Sequence, residues 1–253
     1  VIFEELGLRY YGPIDGHDIP LLTRTFEFLK KQDEPVLLHI LTKKGKGYEP
    51  AIAKPDKFHG LGKYKIESGE TAPAPTPTYS EILGKTLGKF ADTNRKIVAI
   101  TGAMPSGTGL GFFQAQHPDR YYDVGIAEEH AALFACGLAT QGLKPFLTIY
   151  STFMQRAYDM IIHDIALQNL NVALCMDRAG LSGDDGPTHH GLFDIGYLRH
   201  VPNIIHMQPK DEDEFVDMLW TMANHDAGPI AIRYPRGAGT GAKPKARPKL
   251  LEI

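Results

Sequence analysis

Cysteine is scarce in this sequence, with two residues in 253. So few cannot form the disulfide framework that staples small loop-rich folds. There is no apolar run of about 18 residues or more, so no membrane-spanning helix is expected. Charge of one sign is not in excess either. The 27 basic and 30 acidic residues leave a formal net charge of −3, without the long basic run that a nucleic-acid partner would call for. The CxxC and HExxH spacings of common metal sites are missing, and no secretory leader pattern is read at the amino end. What remains is 43% apolar and 23% charged residues, an ordinary globular mix. The expectation is a cytoplasmic protein.

The length suits one large α/β domain, or one domain and part of another. Val1 opens a piece that already reads as strand entering a loop. The Gly/Pro/Lys-rich end, 238–253, reads as a linker toward a further domain, so a piece of a longer polypeptide is expected. Residues 18–33 have helical periodicity with Leu21, Leu22, Phe26 and Leu29 on one side, and 36–42 reads as a buried strand. A Pro/Thr/Gly-rich stretch, 61–78, reads as a linker. Beyond it, strands are expected at 96–102, 121–126, 144–150, 171–177, 203–208 and 229–234. Helices are expected at 79–92 with Ser80 as cap, 109–116, 128–141, 152–168 and 211–225, the last opening on an Asp211/Glu214 capping box. Apolar strands alternating with amphipathic helices predict an α/β fold, a parallel sheet with helices on both faces. The expected organisation is 1–60 as the end of one α/β domain, 61–78 as linker, 79–237 as the main domain and 238–253 as a second linker.

In such sheets, sites collect where strand carboxyl ends lead into helices. Glu128 and Glu129 open a helix after the strand-like run YYDVGI, where the helix dipole favours negative charge. First-turn acids with no further role would look the same. The loop RAGLSGDDGPTHHGLFD, 178–194, packs Arg178, Asp184, Asp185, His189 and His190 among glycines. Such groups move protons near neutral pH, while adjacent histidines are a weak sign of a metal. Arg178 and Arg236 both follow strands at that end of the sheet. Two guanidinium forks suit a phosphate, and an arginine at either place could equally be a surface ion pair. The early loops GPIDGHD, KKGKGYEP and FHG carry glycine with lysine or histidine, a weak phosphate-loop signal without P-loop spacing.

Taken together, GPIDGHD, TKKGKGYEPA, DVGIAEEHA, YSTFMQRAYDMIIHD, DRAG, DGPTHHGLFD and RYPRG occur in the order and spacing of one family. The chain resembles the transketolase-like thiamine-diphosphate enzymes, and within them the 1-deoxy-D-xylulose-5-phosphate synthase family. That resemblance implies condensation of pyruvate with glyceraldehyde 3-phosphate, with loss of carbon dioxide, on thiamine diphosphate and Mg²⁺ in a homodimer. It implies that Glu128 contacts the aminopyrimidine N1′, that Phe153 stacks on the pyrimidine and that Tyr48 touches the cofactor. His189 and His59 become active-site histidines. Tyr150, Arg156 and Asp185 become substrate contacts, and Arg178 with Arg236 the pair holding the acceptor's phosphate. Glu129 stands where the family often has Gln, and His190 departs from THQG; neither receives a role. The family's GDG…N motif for Mg²⁺ and diphosphate is missing, so no metal ligand is expected within these residues. Another transketolase-like enzyme, such as a transketolase or a 2-oxo acid dehydrogenase β-type subunit, or a non-catalytic domain of this fold, are the alternatives.

Overall fold

The computed structural model describes residues 2–72 and 75–252. It divides into two compact units, Val1–Ala72 and Pro73–Ile253. In the first, α1 (Ile2–Glu5) precedes β1 (Arg9–Asp15), α2 (Ile19–Leu29), β2 (Val36–Leu41) and α3 (Glu49–Ala53). Strands β1 and β2 pair in parallel, Arg9 opposite Val36 and Asp15 opposite Leu41. The helix expected over 18–33 is shorter. Asp18 caps it by accepting the Leu21 N–H, and Pro20 sits in its first turn, where a missing N–H costs nothing. Leu29 is buried, but Phe26 is exposed. Residues 61–72, read from composition as linker, carry structure of their own. Tyr64 pairs with Thr71 in a short bridge, and its ring packs against Tyr48 and Phe58. Residues 73 and 74 of that expected linker lie outside the described residues, as do 1 and 253.

The second unit runs α4 (Tyr79–Thr93), β3 (Ile97–Thr101), α5 (Leu110–Gln116), β4 (Tyr121–Asp123), α6 (Glu128–Thr140), β5 (Lys144–Tyr150), α7 (Ser151–Met154), α8 (Tyr158–Met160), β6 (Ala173–Asp177), α9 (Asp194–Leu198), β7 (Ile205–Met207), α10 (Glu212–Asn224) and β8 (Ile230–Arg233). Its six strands form one sheet in the order β4-β3-β5-β6-β8-β7, and every pairing is parallel. The predicted α/β architecture is the one observed. Both faces are covered, which is why β3, β5, β6 and β8 read as unbroken apolar runs rather than alternating ones. Along the strands, Ile97, Phe146, Cys175 and Ile232 point into a core with Leu83, Leu87, Phe113 and Phe215 of α4, α5 and α10. Ile100, Leu147, Met176 and Ala231 point into the opposite core, with Ala131 and Ala135 of α6 and Ile161 and Ile165. Both cysteines are buried free thiols.

Three local expectations change. The cap of α4 is Thr78, whose hydroxyl accepts the Glu81 N–H, not Ser80; the Ser80 hydroxyl turns inward to Asp177. The helix expected over 152–168 is not uniform. Between and after α7 and α8 it tightens into a 3₁₀ turn at Gln155–Ala157 and widens into a π turn at Ile161–Ala166, departures that a 3.6-residue period cannot reveal. Asp211 caps α10 through the Glu214 N–H, but Glu214 reaches back to the Lys210 N–H instead of closing the box on Asp211.

Residues 240–251, also read as linker, lie along α10. Their main-chain N–H groups have no sheet partner, and the acids of α10 accept them: Glu212 from Thr240 and Gly241, Asp213 from Lys245, and Asp217 from Lys249. The Thr221 hydroxyl accepts from Leu251. A buried donor without a partner is costly, so these contacts let an irregular segment lie flat on the helix.

Candidate active site

The loops leaving β3, β4, β5, β6 and β8 gather at the carboxyl end of the sheet, beside the point where strand order runs outward from β3 in both directions. Two residues there adopt left-handed backbone despite carrying side chains, Ala103 after β3 (φ 60°) and Arg178 after β6 (φ 58°). Each costs about 1 kcal/mol or more, and Arg178 is thereby turned out of the strand toward the loop.

Glu128 begins α6 and is only 2% exposed. Arg156, on the 3₁₀ turn and 48% exposed, donates to its Oε1 at 2.6 Å. Among the described residues Oε2 has no hydrogen-bond donor. The Arg156 guanidinium also lies 5.1 Å from the Phe153 ring centre. Phe153 stacks on Tyr150 at 5.7 Å and meets the His189 ring edge-on at 5.4 Å. Tyr150 in turn lies under the Arg178 guanidinium, 4.0 Å from its ring centre, a close cation–π contact. Burial pushes the Tyr150 phenol up to about 12, against the opposing pull of Arg178. Asp185 closes the chain of contacts by pairing with Arg178 and, at 2.9 Å, with the Arg236 Nε. Eight of the site residues expected from sequence therefore form one contiguous set: Glu128, Tyr150, Phe153, Arg156, Arg178, Asp185, His189 and Arg236.

Beside the arginine pair is a cleft of about 440 Å³, lined among others by Ser80, Ser106, Gly107, Arg178 and Arg236. Gly107 matters sterically. A Cβ built there would overlap the Tyr150 hydroxyl. Gly107→Ala is expected to push Tyr150 off Phe153 and Arg178 and to cost about 1–3 kcal/mol, as overpacking usually does. A denaturant midpoint series measures the loss, and Tyr150→Phe added to it removes the colliding oxygen but keeps the ring carbon that a Cβ would meet at 2.9 Å, so it should recover part of it.

Tyr48 and His59 belong to the first unit and are described within it. The Tyr48 hydroxyl donates to the Ile66 carbonyl at 2.7 Å, and His59 Nδ1 lies 2.7 Å from the Lys44 ammonium. Sequence reading missed the parts that hold the second-unit loops in place. Asp194, fully buried, accepts from the Ser151 hydroxyl at 2.8 Å and from Arg233 Nε at 3.0 Å. Arg233 also donates to the Gly191 carbonyl at 3.3 Å, so this arginine belongs to the scaffold. Gly191 is itself obligatory, since a Cβ would meet the Ser151 side chain at 2.5 Å and the Arg178 carbonyl at 2.7 Å. His190 accepts the Ser182 N–H at 3.0 Å, a loop-closing bond that adjacency to His189 could not reveal. Among the described residues no three His, Cys, Asp or Glu side chains are placed to hold a metal ion.

Residues 75–240 match the family model described as transketolase, pyrimidine binding domain, and the chain belongs to that family. Residues 1–42 match a model described as 1-deoxy-D-xylulose-5-phosphate synthase. Over its whole length the chain is similar to proteins of that name, 63% identical over 253 residues to one from Acidobacterium capsulatum and 64% over 253 residues to one from Methylacidiphilum infernorum. Both alignments cover 100% of this chain and 40% of the relative, so the chain spans about 40% of the length of these relatives. Among solved structures, "Split gene transketolase, inactive beta4 tetramer" is 28% identical with a TM-score of 0.59, covering 68% of this chain and 56% of that one. A transketolase from Leishmania mexicana is 16% identical with a TM-score of 0.57, over 68% of this chain and 27% of that one, and shows the shared fold alone. No helix among the described residues is long and apolar enough to cross a membrane.

Proposed function

We propose that this chain supplies the pyrimidine-facing part of a thiamine-diphosphate enzyme that condenses pyruvate with glyceraldehyde 3-phosphate, releasing carbon dioxide, to 1-deoxy-D-xylulose 5-phosphate. The observation that carries the reading is Glu128, a buried carboxylate with one oxygen held by Arg156 and the other without a donor among the described residues. A carboxylate so placed fits a protonated ring nitrogen of the cofactor's pyrimidine, and Phe153 offers an aromatic face beside it. The cofactor, when bound, supplies the carbon nucleophile. The protein's own share is to hold a proton at Glu128, to present the His189 imidazole to substrate oxygens, and to orient the acceptor. Mg²⁺ belongs to the same proposal, with no residue of this chain as its ligand.

At the acceptor end, Asp185 carries one negative charge between two guanidinium groups, and Glu81, which also lines the cleft, is paired with Lys85, so the balance of these groups is positive. That supports a phosphate subsite. In a polypeptide of the relatives' length, Arg236→Ala should raise KM for glyceraldehyde 3-phosphate roughly 10- to 100-fold and barely alter that for pyruvate, the loss of one charged hydrogen bond. Equal effects on both substrates would reject the assignment. Product analysis with pyruvate and the triose phosphate tests the reaction itself, because a transketolase would leave pyruvate untouched. Residues 1–253 alone should give no carboligation, and turnover by them would refute the division of the site proposed here. The same reading includes Tyr48 and His59 near the cofactor, a homodimer and a cytoplasmic location. Ile126, 80% exposed just before α6, is consistent with a covered surface there, and light scattering tests the dimer.

A further inference from the structure

The cleft beside the arginine pair has a buried acid beneath it that the proposed chemistry does not use. Asp177 is the last residue of β6, completely inaccessible, and directly precedes Arg178. Its Oδ2 accepts the Ser80 hydroxyl at 2.7 Å, and among the described residues its Oδ1 has no hydrogen-bond partner. Ser80 lines the cleft together with Arg178 and Arg236. A serine hydroxyl has one proton. While Ser80 spends it on Asp177, it shows the cleft only lone pairs, which repel the oxygens of an anion.

We propose that Ser80 and Asp177 form a proton-coupled pair, so that an oxyanion held by Arg178 and Arg236 is taken up together with one proton, which comes to rest on the Asp177 carboxyl. A protonated Asp177 donates to Ser80 Oγ. The Ser80 hydroxyl then swings round and donates to the anion, while the proton is drawn from solvent. The inference rests on the phosphate-subsite reading and adds to it a positioning residue that touches no substrate.

The electrostatics agree. Burial pushes the Asp177 carboxyl up to about 7, against the opposing effects of the Ser80 hydroxyl and Arg178. The other titratable groups around it are Tyr150 from β5, Cys175 from β6 and Tyr234 beyond β8, with Asp185 and Arg236 acting on Tyr150, and the Glu81–Lys85 pair next to Ser80 on α4. Burial moves Tyr150 and Cys175 up to about 12 and Tyr234 well above the ordinary phenol value, so none of these three exchanges a proton near neutrality.

The test is calorimetric titration of the 253-residue chain with sulfate, a tetrahedral dianion whose own charge is constant from about pH 6 to about pH 8.5. Binding coupled to one proton should weaken toward tenfold per pH unit above the Asp177 titration. Asp177→Asn, whose amide donates to Ser80 at any pH, should bind with a flat profile near the wild type's acidic limit. Ser80→Ala should also be flat, near the wild type's alkaline limit, and it keeps the test alive if Asp177→Asn fails to fold. A wild-type slope that persists in either folded variant places the proton elsewhere and overturns the proposal. A flat wild-type profile overturns it as well. Absence of sulfate binding by the wild type at every pH would instead sink the arginine subsite on which the proposal stands.

Discussion

Glu128→Gln is expected to lower turnover by about 10²- to 10⁴-fold in a polypeptide of the relatives' length, the range that one positioned proton-transfer group contributes. Glutamine keeps the shape of the buried side chain and can still receive the Arg156 hydrogen bond through its carbonyl oxygen. It cannot hold a proton for the cofactor's ring nitrogen. Stability should change little, because the charge left without its partner is the half-exposed guanidinium, and exposed ion pairs are worth about 1 kcal/mol or less. Arg156→Ala makes the opposite error. It strands the buried carboxylate, and breaking a fully buried pair costs about 3–5 kcal/mol. Exposure of the Arg156 side chain scales that down, and we expect roughly 1–3 kcal/mol. The two variants thus separate chemistry from folding. Steady-state kinetics and urea midpoints on both decide the matter, and a Glu128→Gln protein with undiminished turnover ends the assignment of Glu128.

Asp177→Asn is expected to remove a pH dependence of stability that the native carboxyl imposes. The folded state holds the Asp177 proton up to about pH 7, whereas the ordinary value is 3.8. Between those values the folded state binds more protons than the unfolded chain, so stability must fall as pH rises. The contribution is fully present below 3.8 and is lost by the time pH passes the folded value near 7. A displacement of about three pKa units corresponds to about 4 kcal/mol. Paired surface acids such as Asp213, lowered chiefly by hydrogen bonding to Lys245, act in the opposite sense and lose their contribution as pH falls. The informative quantity is therefore the difference between wild type and variant. It should grow in the variant's favour from about pH 4.5 to about pH 8, with an unchanged denaturant slope. A constant difference would mean that the carboxyl titrates normally despite its burial.

Much of the fold was legible because it rests on periodicities that a chain displays by itself. The unbroken apolar runs at β3, β5, β6 and β8 announced strands covered on both faces, and the intervening amphipathic stretches fixed a parallel order. The neighbourhood of the proposed site was partly legible for a related reason. Loops at strand carboxyl ends, where titratable residues crowd beside glycines, singled out Glu128, Arg178, Asp185, His189 and Arg236, while the family resemblance added Tyr150, Phe153 and Arg156, and the eight lie together in the fold. The caps and the irregular segments were harder. Thr78 and Ser80 are both good cap residues, and only the presence of Asp177 under α4 gives Thr78 the cap and turns Ser80 inward. The Gly/Pro/Lys composition of 238–253 says nothing about the acids on α10 that accept its N–H groups.

By itself, then, the sequence determined which segments become strands and helices, the parallel order they imply and the loops that gather at the strand carboxyl ends, since these follow from local periodicity and backbone preference. Only the tertiary structure decided the pairings: Arg156 with Glu128, Asp185 between two arginines, Arg233 with Asp194, and Ser80 with a buried Asp177. The partners in three of those four sets stand 28, 39 and 97 residues apart. Whether a polar side chain meets a partner, water or nothing depends on what the fold brings beside it, and no spacing along the chain encodes that.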